Sequence, residues 1–401
     1  MPVWLDAVPE KAARIKRPNT RRWLIFWFIT QLTGALLTLW RWEDSRSGFV
    51  FWFTAIGLPF CIAGLCFSLR RVGYKLRQVA AQSWDWERER IIEAEIRRGQ
   101  RHARILSCSV QMKAGKEVGR ILEAIAAASP LAEPVQPREG ASPVSYAALT
   151  EYHPWSESTL ALVIAKITAR LQEILLPLPP EITYWLMIEC NSEYSESIRT
   201  KLTQQLTEQT QRRYRQVAAS GLAALDAWLD QGWETPSVFI AVILSLPASP
   251  QEGDADAIAA LVLANRKVNR FPDATLLCRP ERGGPASLSK TLSRALLWAE
   301  TKPEAVSAAW ITGPELTQGT LWHNACKENN IAFSMTEAIY APDAVIGYAG
   351  CASSWLAVAL AQASPDKNEQ LIACQPSSEQ DELWVMVVKK DREQEGLTGN
   401  V

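Results

Sequence analysis

Two uncharged apolar stretches stand near the start of the chain, and beyond them the apolar positions alternate between strand and helix periods. From Trp23 to Trp40 the polar interruptions are Gln31 and a few threonines, and Phe49 to Leu69 carries no charge at all. A helix needs roughly 20 apolar residues to cross a bilayer, so both stretches (residues 23–40 and 49–69) predict membrane spans joined by a tight hairpin. The second stretch would act as a stop, which argues against a cleaved leader. Core helices of a soluble domain are the competing reading. Val72 to Arg101 predicts one long charged helix with a weak apolar stripe of Trp84, Trp86, Ile91, Ile92 and Ile96. Its arginines would either meet lipid headgroups or sit on a solvated face with internal ion pairs.

From about residue 103 strands and helices alternate. Strands are expected at His102–Val110, Ile182–Cys190, Ser237–Leu246, Ala274–Cys278, Ala305–Ile311, Leu371–Cys374 and Leu383–Lys389, with Val345 and Ile346 ending another. Helices are expected at Glu117–Ala128, Leu160–Leu176, Ser195–Gln209, Leu222–Gln231, Leu288–Thr301, Leu321–Asn329 and Ala352–Gln362. A proline-rich loop with Pro130, Pro134, Pro137 and Pro143 follows the first helix. Ala257–Ala264 fits a strand or a short helix, because periodicity alone does not separate short apolar runs. Such alternation argues for an α/β domain with buried sheets. Leu222–Trp228 and Ala352–Ala361 are small and apolar on nearly every face, so each is buried all round. One such helix in each half implies a duplicated fold around two central helices.

Charge sets the orientation. Lys11, Arg14, Lys16, Arg17, Arg21 and Arg22 precede the first span, and Arg70, Arg71, Lys75 and Arg77 follow the second. The loop between them has Arg41 and Arg46, offset by Glu43 and Asp44. The positive-inside rule then places both termini and the soluble domain in the cytoplasm of a bacterial inner membrane. Trp23, Trp27, Trp40, Trp42 and Trp52 lie near the span ends, where indoles favour the interface. No ionisable residue lies inside either span, which argues for an anchor over a transporter. With 42 basic and 43 acidic side chains, nothing points to nucleic acid. Eight scattered cysteines without a CxxC pair predict free thiols and no zinc site.

Three stretches of the soluble part resemble the ketosynthase branch of the thiolase-like superfamily. Val217-Ala218-Ala219-Ser220-Gly221-Leu222, running on through Trp228 to Gly232, is similar to the nucleophile turn Ala-Cys-Ser-Ser-Gly-Leu and its helix. Trp310-Ile311-Thr312-Gly313, ending in Gln318-Gly319-Thr320, is similar to the His-Gly-Thr-Gly-Thr segment of the first catalytic histidine. Ile346-Gly347-Tyr348 with Ala352-Ser353 is similar to the Gly-His segment of the second. The resemblance spans residues 103–390. It implies a five-layer α-β-α-β-α domain with halves at about 103–250 and 251–390, after a basic segment (1–22), the hairpin (23–69) and the charged connector (70–102), and before a tail (391–401).

On this resemblance the nucleophile position is Ala218, the first histidine position Thr312 and the second Tyr348. Condensation needs a thiolate and imidazoles, which these side chains do not replace. Ser220 lies about 200° around the helix from Ala218 and points away. Cys351, at a helix start where a thiol pKa would fall, could act with His323 as a relocated nucleophile. The alternative is a small packed side chain. The resemblance thus implies a pseudoenzyme without cofactor or metal, a membrane scaffold or adapter for an unidentified protein. Residual acyl binding or transfer is the other reading. The combination is also similar to lipase adapters of type VI secretion. The superfamily dimerises through an edge strand. The uncharged run Ser237–Leu246 is the expected edge, since an exposed one would invite aggregation unless paired.

Overall fold

The computed structural model describes residues 4–43, 48–136, 142–149, 155–192, 194–332, 338–365, 368–376 and 382–391. Asp44, Arg46, Ser47, Pro137 and the tail beyond Asp391 lie outside the described residues. The chain forms two compact units, Trp4–Glu95 and Ile96–Val401.

In the first unit, helix Thr20–Arg41 starts at Asn19, whose side chain accepts from Arg21 N. Beyond the turn, helical structure is continuous from Phe49 to Gly99, 51 residues, so the second apolar stretch and the charged connector are one rod. Both helices are long and apolar enough to cross a membrane. The threonines in the first return their hydroxyls to the backbone, Thr30 to Phe26 O, Thr33 to Ile29 O and Thr38 to Gly34 O. A π turn at Phe53–Gly57 interrupts the second. It frees backbone groups, and Gln31, with its amide suitably turned, donates to Ile56 O (3.3 Å) and accepts from Phe60 N (2.8 Å). The helices meet closely at Gly34, where a Cβ would lie 2.1 Å from Pro59 Cγ.

The second unit is built on strands β1 (His102–Met112), β2 (Glu133–Val135), β3 (Val144–Tyr146), β4 (Thr183–Cys190), β5 (Tyr214–Gln216), β6 (Ser237–Ser245), β7 (Ala257–Ala264), β8 (Thr275–Cys278), β9 (Glu281–Gly283), β10 (Val306–Thr312), β11 (Ile339–Tyr340), β12 (Glu369–Cys374) and β13 (Leu383–Lys389). The large sheet runs β11-β10-β12-β13-β8-β1-β7-β6-β4-β5. Split between β8 and β1, it shows one topology twice. If each half's five main strands are numbered in chain order, both read third, second, fourth, fifth, first, with the fifth (β7 or β13) antiparallel to its neighbours. β1 and β8 join the halves in antiparallel register from His102↔Cys278 to Ile105↔Thr275. This is the duplicated fold the sequence predicts.

Three apolar cores explain the layers. Leu160, Ile164 and Leu202 of helices Glu157–Leu175 and Ser195–Thr210 pack on Ile240 and Val242. Leu292 and Leu296 of helix Leu288–Trp298 and Trp322 of helix Leu321–Glu328 pack on Leu371 and Val385. Between the two halves of the large sheet, the inner helices Gly221–Gln231 and Ser353–Ala363 share a central core with Phe239, Ala241, Trp310 and Met386. Trp355 and Leu360 are buried within it, as helices apolar on every face require.

Three expectations need correction. Ser237–Ser245 is not an edge: it lies between β4 and β7, and alternate side chains enter two different cores. A fully apolar run signals burial on both faces; the edges are the short β5 and β11. Val345 and Ile346 sit in a helical turn, Asp343–Ile346, after β11. The proline-rich segment contains the small hairpin β2–β3. Ala257–Ala264, open from its sequence, is strand β7, in register from Val238↔Ala264 to Ser245↔Ala257.

Candidate functional site

A cleft of about 640 Å³ opens where the first inner helix begins, lined among others by Glu189, Gly221, Asp254, Arg282, Tyr348 and Cys351. Each wall has a local cause. Glu189, the last residue but one of β4, accepts at Oε2 from Gly221 N at 2.8 Å. Gly221 starts the inner helix at φ +54°, a left-handed turn that glycine adopts without strain. Gly347, at φ +83°, presses against the backbone before β7, where a Cβ would meet Asp254 O at 3.0 Å. This close approach lets Tyr348 bond that backbone on both sides, Tyr348 N to Gly253 O (2.8 Å) and Ala255 N to Tyr348 O (2.9 Å).

The phenol of Tyr348 donates to Gln375 O at 2.8 Å. Burial, with Asp343 nearby, pushes its pKa up, so it stays protonated. Thr312 lies behind the cleft wall: it is fully buried, and its hydroxyl has no hydrogen-bond partner among the described residues. Gln375 links the two, since its N–H donates to Thr312 O at 3.1 Å. Beside them Asp343 accepts from Gly313 N at 2.6 Å. Burial raises this carboxyl to about 7.

Ala218 does not reach this cleft. It lines a neighbouring depression of about 710 Å³ with Cys190, Arg199 and Gln216, sharing Glu189 and Ser220 with the cleft. From this turn and the helix it opens, Ser220, Gly221, Leu222 and Ala223 line the cleft together with Tyr348 and Cys351. Ser220 is exposed and makes no side-chain cap bond. Neither histidine among the described residues, His102 or His323, lines the cleft.

Cys351 does line it, but in the wrong state for attack. Burial, then the nearby Glu189 carboxylate, push its thiol up, opposite to the effect expected of a helix start. His323 is exposed on the outer helix Leu321–Glu328, whereas Cys351 packs against the central core. His323 is neither among the residues that line the cleft nor among the groups that shift the Cys351 thiol.

Glu189, Asp254 and Asp343 are the site residues that sequence reasoning missed. Burial raises the first two carboxyls as well. Nothing local marks them, because each is placed by a strand end or loop whose neighbours come from elsewhere in the chain. Among the described residues no group of three His, Cys, Asp or Glu could hold a metal ion.

No family model matches the chain. No curated protein matches it either. Solved structures do. An oxazolomycin ketosynthase domain of Streptomyces albus JA3453 aligns with TM-score 0.52 at 10% identity, over 72% of this chain and 76% of its own. The ketosynthase from module 1 of the bacillaene synthase of Bacillus amyloliquefaciens FZB42 aligns with TM-score 0.51 at 8% identity, over 73% and 76%. That from module 6 of the bacillaene synthase of Bacillus subtilis 168 gives 0.51 at 11%, over 73% and 70%. The chain has a thiolase-like ketosynthase fold.

Proposed function

We propose that this protein is a catalytically inactive ketosynthase-like scaffold or adapter, anchored in a bacterial inner membrane by residues 23–69 with its folded domain in the cytoplasm. The observation that carries the reading is the chemistry of the cleft. Ser220 and Gly221 line it, Ala218 lies outside it, Tyr348 is held protonated against Gln375 O, and the Cys351 thiol is raised by burial. Condensation needs a nucleophile deprotonated near neutral pH beside a base, and none of these groups supplies one. The two apolar helices and their flanking basic residues support the anchor. A role in secretion fits an adapter on this membrane.

Acyl binding is the weaker reading, because the cleft walls carry Glu189, Asp254 and Arg282, and charged walls disfavour an alkyl chain. Native mass spectrometry of the full chain, released from membranes in mild detergent, tests the choice. The expected spectrum carries no acyl or acyl-carrier adduct. A stoichiometric fatty-acyl mass that survives delipidation would favour acyl binding instead.

A further inference from the structure

The long helix carries an apolar seam that none of the described residues of the unit Trp4–Glu95 covers. From Leu65 its residues Leu69, Val72, Leu76, Val79 and Trp86 follow spacings of four and three, with small Ser83 filling the one remaining place. Leu58 and Ile62 extend the same register upstream. A strict alternation of four and three is the 3.5-residue repeat of a two-stranded, left-handed coiled coil, not the broader stripe of a helix lying on a globular core.

The membrane accounts for only part of it. The helix Phe49–Gly99 has 51 residues, about 77 Å at 1.5 Å per residue, against a hydrocarbon layer of about 30 Å. Arg70 and Arg71 mark where the apolar stretch ends, yet Val72, Leu76, Val79 and Trp86 beyond them are 55%, 66%, 58% and 65% exposed. In water such a row of apolar side chains calls for a partner.

The opposite face already has a cover. The N-terminal segment lies along it: Ala12 N donates to Asp85 Oδ1 (2.8 Å), Trp84 Nε1 to Glu10 O (3.2 Å) and Arg88 Nε to Pro9 O (2.7 Å). Tyr74, Gln78, Ala81, Asp85 and Arg88 are half-buried there. The segment thus closes this more polar side and leaves the seam open.

We propose that this seam joins two copies of the chain as a parallel two-stranded coiled coil beside the membrane. Two copies inserted in the same sense present Val72, Leu76, Val79 and Trp86 at the same height, so the bilayer sets direction and register without further contacts. In that register the flanking positions are compatible. Lys75 of one copy meets Ala80 of the other, and Gln82 meets Glu87, so no like charges face each other. Gly73 and Ala80 beside the core positions let the helices approach closely. Two aqueous heptads would be marginal as free peptides. Here the helix is already formed and confinement to the membrane raises the effective concentration.

The proposal rests on the reading that residues 49–69 span the membrane, and disulfide trapping in isolated membranes separates the two. Cys61 and Cys66 are first replaced by serine, and single cysteines are introduced as Leu76→Cys, Val79→Cys and Arg77→Cys, the last exposed beside the seam. Mild oxidation should give a reducible dimer with Leu76→Cys and Val79→Cys, several-fold above Arg77→Cys and above the parent. Equal yields at all three positions, or trapping to a protein of different mass, would overturn the pairing of two copies. Carbonate extraction of the same samples reads the anchor: a chain released into the soluble fraction would refute the span, while the pattern of trapped cysteines still decides the seam. As a second readout, Leu76→Glu/Val79→Glu should shift the purified full chain from dimer to monomer mass while its domain melts unchanged. A variant that stays dimeric would also overturn the proposal.

Discussion

Arg279→Ala should lower the melting temperature of the folded domain by on the order of 10 °C, through a loss of roughly 3–5 kcal/mol. The guanidinium is 1% exposed. Its Nε donates to Asp226 Oδ1 at 2.6 Å, and its two Nη groups donate to Asp230 Oδ1 (2.9 Å) and Oδ2 (3.0 Å). A further bond reaches Arg98 O at 3.2 Å, so one side chain ties the strand region after β8 to the inner helix and to the start of this unit. Burial works to raise the Asp230 carboxyl, but the bonds from Arg98 and Arg279 outweigh it and hold the pKa well below the ordinary range. For Asp226 burial wins and its pKa is raised. Alanine would leave Asp226 in place without its cation and Asp230 with Arg98 and Arg101 alone, and removing one partner of a buried pair costs far more than the pair itself is worth. Thermal unfolding followed by tryptophan fluorescence reads the effect. A drop of only a degree or two would show that the cluster is hydrated and weak.

Asp343→Asn should act in the opposite direction and stabilise the domain at pH 8 by up to about 4 kcal/mol, the linkage value of a carboxyl raised this far. Its folded pKa, raised by burial to about 7 from 3.8, sets the sign. Below pH 4 both states hold the proton and the group contributes nothing. Between pH 4 and 7 the unfolded chain releases the proton while the folded chain keeps it, so stability falls. Above 7 the full penalty is present. Asparagine keeps an oxygen to accept from Gly313 N and carries no charge to bury. Denaturant unfolding at pH 5 and pH 8 should show the full gain at pH 8 and less than half of it at pH 5. An equal effect at both values would point to packing instead.

How far the sequence carried the fold depended on whether a signal was local. The two apolar stretches, the alternation of β1, β4 and β10 with their helices, and the two helices apolar all round are local patterns, and the duplicated architecture follows from them. The edge strand was misread because edge or centre is decided by which distant segments pair. Ser237–Ser245 shows an unbroken apolar run in either case until β4 and β7 are seen on its two sides. β5 and β11, the true edges, are three and two residues long and too short to leave a period.

The site divided in the same way. Tyr348 follows from motif resemblance and Cys351 from its place at a helix start three residues on, and both line the cleft. Ala218 was placed by the same resemblance but lines the neighbouring depression, two residues before the turn residues Ser220 and Gly221 that line the cleft. Glu189 and Asp343 owe their raised carboxyls to burial by residues far away in the chain, which no spacing encodes.

The most direct test of the central claim, that this fold has no condensing chemistry left, is the intact mass of the full chain after incubation with acyl and malonyl thioesters. The account predicts an unchanged mass and no released carbon dioxide, because Gly221 and Tyr348 cannot attack and burial keeps the Cys351 thiol protonated. A mass shift of one acyl group that disappears in Cys351→Ala would contradict it and make that cysteine the nucleophile.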